Sequence, residues 1–336
     1  MNAENLVDVI RGNLIESKHL GHIAIVDYTG RLIASKGNVN SIVFARSSMK
    51  PLQAIPIIET GAYDSYQLIP ADLSLCCASH NGEEQHTERV LSILEKANLV
   101  ESSLQCGTHI PRWDEAYRKI IIENRKVTPV YNNCSGKHSG MLITAKHLNE
   151  PIDSYYSMEH PVQKRILQVI SDLAEIPKEE IQIGVDGCGV PVHGIPLNKI
   201  ALAYAKMAKP DNLPDTRKNS ISQIVHAMME APEMVGGTNR FCTDFMNVVK
   251  GNMFGKAGAE GVYCIGDLRS GIGIAIKIED GNSRAASPVA VEVMKQLSML
   301  SEREIKELKE YHLPTLKNAR NENVGSLQAN FLLDYV

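Results

Sequence analysis

Short runs of β-branched and apolar residues dominate both ends of the chain, a pattern typical of strands joined by tight turns. Residues 22–27 and 31–34 form one predicted hairpin around a Tyr-Thr-Gly turn, and residues 261–266 and 271–278 form another. A further strand is predicted at 6–11. The two ends of the chain are therefore predicted to build an antiparallel sheet.

In the middle of the chain, apolar residues recur at intervals of three and four, which is the spacing of amphipathic helices. Gly, Pro and Asn interrupt this pattern and mark the ends of the helices. The predicted helices there are 51–60, 84–97, 113–124, 138–148, 160–174, 198–208 and 217–231. Nearer the C-terminus, residues 284–299 carry Ala, Val and Met at helical spacing, and the charged stretch 301–323 is also predicted to be helical.

Strands at both ends with helices between them predict an α+β fold, with one antiparallel sheet built from both chain termini and a large helical insertion. We expect a single unit over residues 1–336. Its sheet part should cover approximately 1–46 and 250–336, and its helical part approximately 47–249. Ligand sites favour such junctions, so the active site is expected between sheet and helices.

The composition changes this picture little. With 336 residues, 43% of them hydrophobic, and a net charge of −4, the chain is predicted to be a soluble globular protein that binds neither nucleic acid nor membranes. The N-terminus lacks the features of a signal peptide, and no apolar run approaches bilayer-spanning length, so a cytoplasmic location is expected. The seven cysteines should then stay reduced.

Ser47 and Lys50 are the first candidates for chemistry, because they follow a β-branched run and precede an apolar one. Pro51 suits the first turn of a helix, so Ser47 and Lys50 should lie on one helical face. A desolvated lysine can take the proton of a serine hydroxyl, and N–H groups at a helix start can hold an oxyanion. Alternatively, Ser47 or Ser48 only caps the helix and Lys50 is a solvated charge.

Two more short patterns accompany this one. Ser79 and Asn81 lie two residues apart in a loop before a predicted helix, and Lys256 and Gly258 lead into the C-terminal hairpin. Roughly one occurrence of each pattern is expected by chance in a chain of this composition. Their order and setting carry the weight, because a helix start, a loop of the helical part and a sheet edge follow one another.

In that order, the three patterns resemble those of the serine β-lactamase and penicillin-binding superfamily. More closely, and over nearly the whole chain, the sequence resembles the rhizobial-type (asparaginase II) L-asparaginase family. Five blocks carry the closer resemblance: Arg46-Ser47-Ser48-Met49-Lys50-Pro51, Cys77-Ala78-Ser79-His80-Asn81-Gly82-Glu83, Asn132-Asn133-Cys134-Ser135-Gly136-Lys137-His138, Asp186-Gly187-Cys188-Gly189-Val190-Pro191 and Lys256-Ala257-Gly258-Ala259-Glu260-Gly261. Ala257 and His80 depart from the penicillin-binding pattern, which weakens the case for β-lactam chemistry.

The resemblance implies a β-lactamase-like fold and a homodimer that hydrolyses L-asparagine to L-aspartate and ammonia. Ser47 would be the nucleophile and Lys50 its base. Backbone N–H groups of Ser47 and Ala259 would form the oxyanion hole. Ser79 would relay a proton to the leaving amine, and Lys256 would keep Ser79 polarised. Two nearby lysines depress each other's pKa, which is what a lysine base requires.

Two cysteines, Cys134 and Cys188, come from separate loops that contain glycine, and such thiols could hold a soft metal such as zinc. The resemblance implies a zinc ligand set of Cys134, Lys137 and Cys188, although their spacing matches no standard zinc motif. Buried hydrophobic cysteines, or thiols that line the pocket without metal, are the alternatives. No organic cofactor is expected.

An amino-acid substrate needs an acid for its α-ammonium group and donors for its α-carboxylate. Asp186 is the candidate for the first role, and Arg46 or His138 for the second. Asn81 and Ala259 are also expected to contact the substrate. Alternatively, Asp186 only forms a turn, and Arg46 is a structural ion-pair partner.

Three hypotheses about function follow from these patterns. The first is an L-asparaginase. The second is a glutaminase, or another serine–lysine amidase or peptidase. The third is a non-catalytic protein that binds an amino acid on the same fold, which fits poorly because an inactive site has no need to keep four reactive groups.

Overall fold

The structure, a computed structural model, describes residues 2–336. The strands are β1 (Glu4–Arg11), β2 (Leu14–Asp27), β3 (Leu32–Lys36), β4 (Ile42–Phe44), β5 (Gln182–Val185), β6 (Pro191–Pro196), β7 (Met253–Gly258), β8 (Val262–Asp267), β9 (Ile272–Ile278), β10 (Thr315–Lys317), β11 (Asn323–Ala329) and β12 (Asp334–Tyr335). The α-helices are α1 (Lys50–Gln53), α2 (Ile55–Glu59), α3 (Ala62–Ser65), α4 (Pro70–Cys76), α5 (Glu84–Lys96), α6 (Asp114–Ile122), α7 (Ser135–His147), α8 (Pro161–Ala174), α9 (Leu197–Ala208), α10 (Asp215–Glu230), α11 (Pro232–Val235), α12 (Phe241–Val249), α13 (Ala286–Gln296), α14 (Glu302–Glu307) and α15 (Lys309–His312).

The chain divides into two compact units. Unit 1 comprises the chain up to Ser48 together with Ile195–Lys209 and Asp244–Val336, and unit 2 comprises Met49–Gly194 and Pro210–Thr243. Helix α9, in the middle of the sequence, thus belongs to the unit that holds both ends of the chain. No helix among residues 2–336 is long and apolar enough to cross a membrane.

Unit 1 is organised around a nine-stranded sheet with the order β10-β11-β1-β2-β9-β8-β7, in which β3 pairs with both β2 and β12. Both predicted hairpins are present, since β2 pairs with β3 and β8 pairs with β9. Strand β1, from one end of the chain, pairs antiparallel with β11, from the other. The prediction of an α+β fold with an antiparallel sheet built from both termini is therefore confirmed.

Helix α9 packs closely on strand β9 of this sheet. A Cβ atom at Gly273 would collide with the carbonyl oxygen of Ala201, so the contact of helix and strand requires glycine there. Helix α13 also contacts β9 and β11 and buries Val289 and Val293. These apolar helix faces bury the hydrophobic side chains of the sheet, which supplies most of the stabilisation of the unit.

Unit 2 is mainly helical, with one small hairpin of β5 and β6. Helix α7 is its central element, because every residue from Ser135 to Ala145 is buried. Helices α4, α5 and α8 pack around it. A Cβ atom at Gly136 would collide with the backbone of Leu75, so this small residue permits the close approach of α4 to the first turn of α7.

Residues 301–323 are predicted to be helical, and this prediction is wrong for the part after His312. The structure has the short helices α14 and α15, then β10 and the start of β11. Pro314 follows α15, and a proline disfavours helical backbone at the residue before it. Strand β10 lies at an edge of the sheet, where charged side chains hide the alternating pattern of a strand.

Candidate active site

Ser47 lies in a 3-10 turn, Arg46–Met49, that leads into α1. Pro51 occupies the first turn of α1, as predicted. The N-cap residue of α1 is Met49, which makes no side-chain capping bond. The Ser48 hydroxyl donates instead to the carbonyl of Ala45 at 2.7 Å. Neither serine therefore caps the helix, and the capping interpretation of this motif is wrong.

The backbone of Arg46 is strained, because its φ angle is +53°, in the left-handed region that non-glycine residues rarely adopt. Such a conformation costs of the order of 1–3 kcal/mol and is concentrated at functional sites. The strain lies one residue before Ser47, in a half-buried turn.

Strand β7 of unit 1 carries Lys256, whose side chain is fully buried and whose Nζ donates to the carbonyl of Ala257 at 2.8 Å. A Cβ atom at Gly258 would lie close to the carbonyl oxygen of Ala45 and 3.4 Å from the backbone nitrogen of Ser48. The end of β7 thus packs on the turn that contains Ser47. Ala259, which is exposed, follows directly in the chain.

In unit 2, the side chain of Lys50 is 1% exposed and is surrounded by hydrogen-bond acceptors. Its Nζ donates to the carbonyl of Ala78, to the hydroxyl of Ser79 at 3.2 Å and to the carbonyl of Asn133 at 3.4 Å. Two of the predicted catalytic residues, Lys50 and Ser79, are therefore brought together within this unit. Lys50 is not a solvated charge.

The pKa of Lys50 is lowered from its ordinary value. Burial is the main cause, because it penalises the charged ammonium form, and the positive charge of Lys137 acts in the same direction. The negative charge of the Cys134 and Cys188 pair opposes the shift but does not outweigh burial. The site therefore shifts Lys50 toward the neutral amine, which is the form that a general base requires.

His80, which departs from the penicillin-binding pattern, is fully buried and holds its loop in place. Its Nδ1 accepts from the backbone N–H of Gly82 at 3.1 Å, so Nε2 carries the proton and donates to the hydroxyl of Ser135 at 2.8 Å. Burial lowers the pKa of His80 well below its usual value and keeps it neutral. Its role is to connect the loop to the start of α7.

Asn81 is fixed on both its backbone and its side chain. Its carbonyl oxygen accepts from the backbone N–H groups of Arg112 and Trp113, and its Nδ2 donates to the carbonyl of Thr238 at 2.9 Å and to Glu83 at 3.2 Å. Its Oδ1 is buried without a hydrogen-bond partner among residues 2–336. Such an acceptor is available to an N–H group of a substrate.

Cys134, Lys137 and Cys188 form a buried cluster in unit 2. The Nζ of Lys137 lies 3.0 Å from the Sγ of Cys188, and the two thiol groups are hydrogen-bonded to each other. That hydrogen bond lowers the pKa of Cys134 and raises the pKa of Cys188, so Cys134 is the thiol of the pair that loses its proton more readily. Burial lowers the pKa of Lys137, but the negative charge of the cysteine pair and of Asp186 outweighs burial and raises that pKa overall.

The three predicted metal ligands all lie in this cluster. Across the described chain, no three His, Cys, Asp or Glu side chains are arranged to hold a metal ion. The cluster offers two sulfur atoms and, once Lys137 loses its proton, one amine nitrogen, and a zinc ion would accept such donors. The predicted zinc ligands thus carry donor atoms of the kinds that zinc binds.

His138 follows Lys137 on α7 and is also fully buried. Its Nδ1 lies 2.6 Å from the hydroxyl of Tyr155, and its Nε2 has no partner among the described residues. Burial lowers the pKa of His138 well below its usual value, and the positive charges of Lys137 and Lys50 lower it further. The imidazole is therefore neutral, and it lies next to the cluster of Cys134, Lys137 and Cys188.

Asp186 begins a tight turn at the tip of the β5–β6 hairpin. Its carboxylate accepts from the N–H of Gly187 at 2.8 Å, and its carbonyl accepts from the N–H of Gly189, which has a φ of +86°. The charge of Asp186 also acts to raise the pKa of Lys137. Asp186 therefore forms the turn and lies beside the cluster at the same time, and its contact with substrate stays a prediction.

Two buried residues near the cluster have no sequence motif that could have found them. Tyr155 lies in a polar loop, where its neighbours suggest a surface position. His193 lies on β6, and neither of its ring nitrogens has a partner among residues 2–336. Burial and the charge of Lys137 lower the pKa of His193 to about 4.

Comparison with solved structures gives distant matches. Mglu in its native form shares 14% sequence identity at a TM-score of 0.45, with 83% of this chain and 65% of that chain covered. The present chain thus spans 65% of the length of Mglu. A β-lactamase from Mycobacterium bovis shares 12% identity at a TM-score of 0.40, with 87% and 95% covered. The D-alanine carboxypeptidase AmpC from Burkholderia cenocepacia shares 15% identity at a TM-score of 0.39, with 81% and 93% covered.

A search of curated proteins by sequence gives no match. The profile of the family described as L-asparaginase II matches residues 7–329. This match covers nearly the whole chain and includes all five sequence blocks. It also confirms the resemblance on which the predictions about the site were based. The chain therefore belongs to the L-asparaginase II family, a family of amidohydrolases.

Proposed function

We propose that this protein hydrolyses the side-chain amide of L-asparagine to give L-aspartate and ammonia through an acyl-enzyme on Ser47. The observation that carries the proposal is the hydrogen bond from Lys50 to Ser79, within a buried cluster that lowers the pKa of Lys50. A neutral lysine and a serine hydroxyl in contact can pass a proton between them. This is the chemistry that amide hydrolysis needs.

In the proposed reaction, Lys50 takes the hydroxyl proton of Ser47 as the Oγ atom bonds to the amide carbon. Backbone N–H groups of Ser47 and Ala259 stabilise the negative charge on the carbonyl oxygen. The carbon–nitrogen bond then breaks, and the nitrogen leaves as ammonia after receiving a proton through Ser79, which Lys256 polarises. Water attacks the resulting ester, Lys50 accepts a proton from it, and Ser47 regains its hydroxyl.

We propose that the substrate is held by its charged ends. Asp186 would pair with the α-ammonium group, and Arg46 and His138 would donate to the α-carboxylate. The unpartnered Oδ1 of Asn81 supports a contact with a substrate N–H group. The strained backbone of Arg46 supports a functional role for its turn.

We propose further that Cys134, Lys137 and Cys188 hold a zinc ion. Their buried cluster, in which the pKa of Cys134 is lowered by Cys188 and by two lysines, supports this. A bound zinc ion would supply positive charge to negative groups of the substrate. Metal analysis of protein purified without added zinc should give about one equivalent, and Cys134→Ser should lose it while Cys242→Ser keeps it. Stoichiometry near zero in the wild type would reject the zinc site.

A cytoplasmic homodimer completes the proposal and follows from composition and from the family resemblance. Light scattering coupled to gel filtration should give twice the chain mass of 37.0 kDa. A mass equal to that of one chain would reject the dimer.

The decisive experiment measures ammonia release from asparagine by the wild type and by Ser47→Ala. We expect the variant to lose at least about 10³-fold in turnover, because removal of a nucleophile leaves only binding and oxyanion effects. Ser222→Ala is the matched control, because Ser222 is exposed on α10 and its hydroxyl bonds only to its own helix. Substantial turnover by Ser47→Ala would reject the scheme.

The same assay separates the competing activities. Faster hydrolysis of glutamine than of asparagine would make the protein a glutaminase, and hydrolysis of a chromogenic β-lactam would indicate a broader serine–lysine hydrolase. Tight binding of asparagine without ammonia release would identify a binding protein.

A further inference from the structure

A short chain of hydrogen bonds leads from the protein backbone to His138. The backbone N–H of Gln105 donates to the phenolic oxygen of Tyr155 at 2.8 Å, and this oxygen lies 2.6 Å from the Nδ1 of His138. Tyr155 is fully buried, and the Nε2 group of Gln163 donates to its backbone carbonyl at 2.8 Å. The phenol is thus held from two sides.

The donors and acceptors in this chain determine where the protons lie. A backbone N–H can only donate, so the Tyr155 oxygen accepts from Gln105. Within residues 2–336, the only acceptor within reach of the phenolic proton is the Nδ1 of His138. Burial raises the pKa of Tyr155 well above its usual value, so the phenol keeps this proton.

We propose that Tyr155 is a positioning residue that holds His138 in the tautomer with its proton on Nε2, so that His138 donates a hydrogen bond to an oxygen atom of the substrate. An imidazole that accepts at Nδ1 carries its proton at Nε2. That N–H group is buried and has no partner among the described residues, and an unsatisfied buried donor is costly. The inference rests on the proposed function and names what orients one of its binding groups.

Without the phenol, the other tautomer becomes available. It would direct a lone pair at the substrate oxygen, so repulsion would replace a hydrogen bond. The oxygen belongs to the α-carboxylate, which is present in both the ground state and the transition state, so the loss should appear in KM more than in kcat.

The test compares Tyr155→Phe with Tyr156→Phe. Tyr156 is the adjacent residue, is 41% exposed and packs edge-on against the Tyr155 ring, so it controls for the removal of a phenol from this loop. We expect the KM for asparagine to rise about tenfold in Tyr155→Phe, with kcat changed much less. Tyr156→Phe should leave both constants unchanged. An unchanged KM in Tyr155→Phe would overturn the proposal.

A second measurement reads the tautomer directly. Long-range ¹⁵N–¹H correlation spectra of ¹⁵N-histidine-labelled protein distinguish protonated from unprotonated ring nitrogens, and the His138→Asn spectrum assigns the signals. We expect a protonated Nε2 in the wild type and a mixture of tautomers in Tyr155→Phe. A proton on Nδ1 in the wild type would overturn the proposal even if Tyr155→Phe does not fold.

The two measurements also separate this proposal from the proposed function. If the wild type releases no ammonia from asparagine, the asparaginase assignment fails, and the spectra still decide whether Tyr155 sets the tautomer. If ammonia is released and the tautomer is the same in both proteins, only the role of Tyr155 fails.

Discussion

The side-chain nitrogen of Lys50 lies 3.2 Å from the hydroxyl oxygen of Ser79, and both groups are buried. The two residues are 29 positions apart in the sequence and come from the start of α1 and from the loop before α5. The Nζ of Lys50 also donates to the carbonyl oxygens of Ala78 and Asn133, and burial lowers the pKa of Lys50. The lowered pKa brings this amine closer to the neutral form that a general base requires.

We expect turnover to increase with pH through the lowered pKa of Lys50, because only the neutral amine can take a proton from Ser47. Below that pKa, kcat should fall about tenfold for each pH unit. Lys50→Arg should be inactive, since a guanidinium stays charged and cannot act as a base. Initial rates of ammonia release between pH 5 and pH 10 test this, with Lys119→Arg as an exposed control. A flat profile or an active Lys50→Arg variant would contradict it.

A second prediction concerns Gly237, whose φ angle is +103° and whose surroundings leave no room for a methyl group. A Cβ atom there would collide with Glu83 and would lie 2.9 Å from the Nδ2 of Asn81. We expect Gly237→Ala to lower the free energy of unfolding by about 2–4 kcal/mol, from backbone strain and overpacking together. It should also lower kcat/KM, because Asn81 must move.

Gly107→Ala is the matched control for this experiment. Gly107 also has a positive φ, +70°, but no atom lies within 4 Å of the place its Cβ would occupy. In Gly107→Ala the free energy of unfolding should fall only by the cost of backbone strain, about 1–2 kcal/mol, and the activity should be unchanged. Urea unfolding and ammonia assays of both variants test the difference, and equal effects would show that packing around Asn81 is unimportant.

A third prediction concerns stability in acid. His193 is buried and has a pKa lowered to about 4, whereas its unfolded value is about 6.5. Between these pH values the unfolded chain binds a proton that the folded protein does not, so the free energy of unfolding decreases as the pH falls from 6.5 toward 4. The loss is about 1.4 kcal/mol for each pH unit.

His193→Leu should remove this contribution, because no described hydrogen bond is lost with the imidazole. The free energy of unfolding in urea should then change less between pH 7 and pH 5 than in the wild type. His226→Asn, at an exposed position of α10, should leave the pH dependence unchanged. A steeper acid loss in His193→Leu would contradict the direction of the shift.

Much of the fold could be predicted from local patterns. The helix predicted at 160–174 is observed at Pro161–Ala174, and the helix predicted at 84–97 is observed at Glu84–Lys96. Both segments are long and have regular apolar spacing, which is a strong signal for a helix. Strand β7 was not predicted, because Gly255 and Gly258 weaken its pattern. These glycines are explained only by distant neighbours, the ring of Phe245 and the carbonyl of Ala45.

Some residues of the candidate site could also be predicted from local patterns, and others could not. Lys50, Ser79 and Asn81 could be selected as candidate site residues from the sequence, because each belongs to a short motif of residues that are adjacent in the chain. Tyr155 and His193 could not, since their importance arises from contacts and charges of side chains that are distant in sequence. The role of a residue can be predicted from the sequence only where its partners lie close to it in the chain.

Helix α7 supplies Lys137 and His138 from its first turn and is buried over its whole length from Ser135 to Ala145. Its chemically important residues therefore belong to the same tightly packed segment as the hydrophobic core of unit 2. Directed evolution toward other amides is expected to leave this helix unchanged and to accumulate substitutions in the surrounding loops, where side chains can vary without loss of folding.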